Sequence, residues 1–85
     1  MDRGLMVDEV ALKKVMGMVL EVDPASIGPQ SSIDNIESWD SLHHMNLVLA
    51  LEEEFNVYIP DDDVPNMTDY KLIKLVLEEQ APSSP

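Results

Sequence analysis

Between Val7 and Glu21 the apolar residues Leu12, Val15, Met16, Val19 and Leu20 return every three or four positions, with Asp8 and Glu9 at the start and Lys13 and Lys14 turned outward. That spacing lays one apolar stripe along a first helix. Asp23-Pro24 is expected to end it, because the residue before a proline is pushed out of the helical region. From Ile27 to Ser38 the chain is rich in Gly, Pro, Ser, Asp and Asn, which reads as a long loop with Ile27, Ile33 and Ile36 as core plugs. Helical periodicity resumes from Ser41 to Phe55, now in two stripes: Leu47, Leu51 and Phe55 on one side, Leu42, Met45 and Leu49 on another. One stripe can face the core. The other is then exposed as a docking surface or the mouth of a cleft, unless a four-helix packing buries both. Ile59-Pro60 interrupts the pattern, and Asp61-Asp62-Asp63 opens one short turn that Pro65 limits. Tyr70, Ile73, Val76 and Leu77 share a face of a last helix, capped by Thr68 or Asp69 and ending near Gln80. The expected fold is all-α: a small four-helix bundle of three long helices and one short helix, with a long loop between helices one and two. Residues 1–6 read as a flexible N-terminus, 7–80 as the domain and 81–85 as a disordered tail.

With 85 residues the chain makes one small domain, without room for a deep active site assembled from several loops. No nucleophile-base pair or metal set can be assembled from the spacing, so an enzyme is not expected. Seventeen acidic against five basic residues leave a formal charge of -12, which repels phosphate backbones and anionic lipid and attracts proteins that present Lys and Arg. Nucleic-acid binding is excluded on that ground. There is no cysteine, so neither a disulfide framework nor a zinc-thiolate site holds the fold. No segment approaches the roughly 18 apolar residues of a membrane span, and no signal-like start is present; a cytoplasmic monomer is expected.

The chemistry concentrates at Trp39-Asp40-Ser41-Leu42. Asp40 is a good N-cap, and a serine just after it sits where unpaired backbone N–H groups and the positive end of the helix dipole favour a phosphate. Ser41 is therefore suited to carry a phosphodiester. His43 and His44 are adjacent, point in different directions on a helix and read as a solvated pair, unable to share a metal with i,i+4 geometry. Asp61-Asp62-Asp63 lacks the alternating ligands, central glycine and closing glutamate of a calcium loop, so no metal site is expected.

Asp40-Ser41-Leu42, followed by Leu47-Val48-Leu49-Ala50-Leu51-Glu52-Glu53-Glu54-Phe55 and then Ile59-Pro60-Asp61, closely resembles the acyl carrier protein family. Lys13-Lys14, Leu20, Val22, Ile27, Ile33 and Thr68 fall at the matching positions without gaps, so the resemblance spans Val7 to Gln80. It implies that a phosphopantetheinyl transferase moves 4'-phosphopantetheine from coenzyme A onto Ser41, with Asp40 and Leu42 beside the attachment point. It also implies acyl or aminoacyl cargo held as a thioester on the group's thiol, a loading ligase, downstream synthases or transferases with basic docking patches, and no catalysis by the chain itself.

Two departures refine that expectation. Acidic residues usual two and five positions after the modified serine are here His43 and Asn46, and Trp39 stands where a small residue often precedes the aspartate. The Trp-Asp-Ser-Leu form looks more like stand-alone carriers of specialised pathways than like the carrier of housekeeping fatty-acid synthesis. Trp39, His43, Met45, Asn46, Leu49, Glu52 and Glu53 are the expected partner-binding residues, with Trp39 read alternatively as a loop anchor on the core edge. The rival reading is a small acidic helical adaptor that binds proteins through the second helix and carries no prosthetic group.

Overall fold

The computed structural model describes residues 8–80, so the expectations for 1–6 and 81–85 lie outside it. Three helices, α1 (Glu9–Leu20), α2 (Ser41–Phe55) and α3 (Tyr70–Gln80), are joined by segments that hold two 3-10 turns, Pro24–Ser26 and Val64–Asn66. The fold is all-helical, and its short fourth element is the three-residue turn Val64–Asn66. That turn begins one residue after the three aspartates, because Pro65 fits the first positions of a turn and cannot continue a helix.

Each long helix begins on an aspartate. Asp8 Oδ1 accepts the amides of Val10 and Ala11 at 3.0 and 3.3 Å, Asp40 Oδ1 that of His43 at 2.9 Å, and Asp69 Oδ1 that of Leu72 at 2.7 Å. Helix one stops earlier than its proline implies. Glu21 takes a left-handed conformation (φ 62°) and turns its N–H back onto the Gly17 carbonyl, so Asp23-Pro24 instead opens the first 3-10 turn. Asn56 closes α2 in the same way, at φ 54°. Gly17 makes the close return possible: a Cβ there would lie 2.8 Å from Pro24 Cγ and 2.9 Å from the Val22 carbonyl oxygen.

The core is aliphatic. Leu12, Met16 and Leu20 of α1, Leu47 and Leu51 of α2, and Ile73 and Leu77 of α3 are buried around Ile27, Trp39, Ile59, Met67 and Tyr70. The long loop is pinned rather than loose. Ile33 N–H donates to the Thr68 carbonyl and Tyr70 N–H to the Ser31 carbonyl, both at 2.9 Å, and the Ser38 hydroxyl donates to the Leu20 carbonyl. Of the three expected isoleucine plugs, Ile27 is buried and Ile36 packs partly against the core, but Ile33 is exposed. Its place is held by main-chain pairing, and the loop's large apolar anchor is Trp39.

A second clamp joins the starts of α1 and α3. Tyr70 Oη donates to Glu9 Oε1 at 2.6 Å, and Lys74 Nζ lies 3.2 Å from Glu9 Oε2. The Tyr70 hydrogen bond, and after it Lys74, holds the Glu9 carboxyl below its ordinary value, while burial and the same carboxylate raise the Tyr70 phenol. Among the described residues no helix is long and apolar enough to cross a membrane.

Candidate functional site

Ser41 is the first residue of α2 and is exposed. Asp40 before it has extended backbone, which turns the chain sharply into the helix and leaves the serine on the outer rim. The orphan donors of that rim are partly used: His43 N–H goes to Asp40 Oδ1 and His44 N–H to the Asp40 carbonyl at 2.8 Å. The amides of Ser41 and Leu42 have no partner among the described residues, and they face the positive end of a 15-residue helix. A phosphodiester at this position would have those two donors and the positive helix end within reach, beside the ionised Asp40 carboxylate.

Asp40 is held ionised. The His43 backbone N–H, and then the His43 ring, hold its carboxyl below the ordinary value, the ring lying 2.7 Å from Oδ1. His43 thus caps the residue that caps its own amide. It is half-buried and occupied, and not freely solvated as its position in the sequence suggests.

The expected partner residues separate into three groups. Leu42, Met45 and Leu49 form an open apolar stripe at 67%, 51% and 61% exposure, and Asn46 and Glu53 are exposed beside them. Glu52 is half-buried, and its Oε2 accepts the Ile59 N–H at 2.8 Å; this fixes the turn after α2. Trp39 is 3% exposed and belongs to the core, so of its two readings the loop anchor fits the structure and a partner contact through its side chain does not.

His44 departs furthest from the sequence reading. His44, expected to be solvated, is partly buried between Trp39 and the Val64 turn: Trp39 Nε1–H donates to His44 Nδ1 at 3.0 Å, and His44 Nε2 lies 2.7 Å from the Val64 carbonyl oxygen. The clue available in the sequence was Trp39 itself, since a buried indole seeks an acceptor for its single N–H. Among the described residues no three His, Cys, Asp or Glu side chains come together for a metal.

A family model described as a phosphopantetheine attachment site matches residues 10–71. The chain belongs to the acyl carrier proteins. An acyl carrier protein from Thermosynechococcus vestitus is 41% identical over 59 residues, which is 66% of this chain and 73% of that protein. The solution structure of a holo acyl carrier protein from Geobacter metallireducens superposes with a TM-score of 0.74 at 22% identity, covering 85% of this chain and 83% of the other. That likeness establishes the fold. Members of this family are carriers and not catalysts, and their prosthetic group is covalently attached phosphopantetheine.

Proposed function

We propose that Ser41 is the attachment residue and that the loaded chain presents acyl or aminoacyl thioesters to partner enzymes of a specialised biosynthetic pathway. The observation that carries the attachment is the geometry of the α2 start: an exposed hydroxyl directly after an ionised cap, with two unpartnered amides beside it. When bound, the group supplies a terminal thiol on a long flexible arm, which this cysteine-free chain otherwise lacks. The protein's part is to hold the attachment hydroxyl outside its core and to offer a docking face around it. A tethered cargo then reaches each partner's active site at high local concentration while the domain stays outside.

The specialised assignment is supported by the charge along α2. Between Asp40 and Glu52 the helix carries no acid, because His43 and Asn46 stand where acids are usual, and the exposed side chains that follow Ser41 over its next two turns are apolar or amide. A partner fitted to this face matches an apolar strip at the serine with basic residues facing Glu53, about three turns on from Ser41. The transferase, a loading ligase and downstream acyl-handling enzymes are the expected partners.

The test is intact mass after incubation with coenzyme A, magnesium and a broad-specificity phosphopantetheinyl transferase. One phosphopantetheine on the wild type and none on Ser41→Ala is the expected result. A well-folded wild type left unmodified by several transferases would return the chain to the adaptor reading.

A further inference from the structure

Trp39, His44 and Val64 come from three different segments: the end of the long loop, the first turn of α2 and the second 3-10 turn. The imidazole of His44 joins them. An indole N–H can only donate, so the nitrogen 3.0 Å from it, Nδ1, presents its lone pair. A backbone carbonyl can only accept, so the nitrogen 2.7 Å from Val64 O, Nε2, carries the proton. The two contacts select one neutral tautomer. A proton on Nδ1 would set one N–H against another.

No single neutral side chain of similar size replaces both contacts. Asparagine can accept from the indole but falls short of Val64, and glutamine reaches Val64 but leaves the indole without its acceptor. The indole and imidazole planes lie 25° apart with centroids 6.1 Å apart, the near-coplanar arrangement that an indole–imidazole hydrogen bond needs. The Val64 turn has no side-chain cap of its own at Asp63, and the Val64 carbonyl's other partner, Met67 N–H, is longer at 3.3 Å. His44 also lies three residues after Ser41, on the same side of the helix one turn along.

We propose that His44 is the positioning residue of the attachment site: by fastening the buried indole on one side and the Val64 turn on the other, it fixes the orientation in which the first turn of α2 offers Ser41 to the transferase. This rests on Ser41 as the attachment residue. Trp39 is then present because the site needs a rigid, buried donor immediately before its cap, and His44 because that donor needs a two-ended partner.

The experiment combines ring and indole NMR with transferase kinetics on the full chain. In the wild type, long-range proton–nitrogen correlations should show His44 as the neutral Nε2–H tautomer, and the chain's single indole N–H should exchange slowly. His44→Ala, assayed well below its melting temperature, should keep its helical circular dichroism, lose the slow indole exchange and raise the carrier's KM for the transferase about tenfold with little change in kcat. His44→Asn and His44→Gln each keep one bond and should fall between wild type and alanine. They carry the test if His44→Ala does not fold. A wild-type ring protonated on Nδ1 overturns the proposal. So does an unchanged KM in a folded variant, even with faster indole exchange, since that leaves only a structural contact. A wild type that shows the expected ring and indole signals yet takes no phosphopantetheine overturns the Ser41 assignment instead.

Discussion

The two faces of α2 carry nearly the same residue types and have opposite fates. Leu47 and Leu51 are fully buried, whereas Leu42 and Leu49, on the same helix, are 67% and 61% exposed. Hydrophobicity alone does not separate them. The inner face is covered by α1, the long loop and the segment after α2, and nothing among the described residues packs over the outer face. An apolar face left open beside the proposed attachment residue is, on the function proposed above, a surface for partners. The same division runs through the neighbouring carboxylates: Glu52 is tied to the Ile59 amide and Glu53 faces outward.

The contrast is tested most severely by truncating one leucine on each face. Leu47→Ala should cost about 2–5 kcal/mol in denaturant unfolding, the range for a fully buried leucine, while Leu49→Ala should change stability by less than about 0.5 kcal/mol. Leu49→Ala should instead weaken transferase or ligase docking, read as a higher KM. Comparable losses of stability at the two sites would mean that the outer face is packed after all.

Gly17→Ala probes the close return of the chain behind α1. The added methyl cannot fit without moving Pro24 or the Val22 carbonyl, and a cost of about 1–3 kcal/mol is expected from thermal or chemical unfolding. A smaller difference separates the two glutamates of α2. Glu52→Ala leaves the Ile59 amide unpaired and should cost about 1–2 kcal/mol. Glu53→Ala should leave the melting temperature unchanged and lower the salt sensitivity of partner binding, measured as KM against ionic strength.

The smallest effect lies away from α2, at the Glu9–Tyr70–Lys74 clamp. The Glu9 carboxyl is held below its usual value of 4.5, so its contribution is complete above that pH and fades as pH falls through the lower folded-state value. Glu9→Gln should therefore narrow the fall in melting temperature on acidification below pH 4.5, while both proteins retain the Tyr70 contact. Identical acid profiles for the two proteins would show that the charge of this exposed carboxylate adds nothing through either the Tyr70 hydrogen bond or the Lys74 ion pair.

The helices were legible because their information is local. The 3.6-residue stripe of Tyr70, Ile73, Val76 and Leu77 and the aspartate caps need no distant partner, and α2 begins and ends where its pattern does. The exposed place of Ser41 at the start of α2 was legible for the same reason: a hydroxyl directly after a cap is a local property of the chain. The choice between two stripes on α2 was not local, nor was the outward turn of Ile33, nor the occupation of Glu52 by an amide seven residues on.

His44 marks the boundary most clearly. The sequence by itself determined three helices, an exposed serine at a positive helix end, and a carrier's charge. Only the tertiary structure decided that the second of two adjacent histidines is a two-ended link, because its partners lie five residues before it and twenty after it, and a hydrogen bond is specified by where its donor and acceptor meet in space.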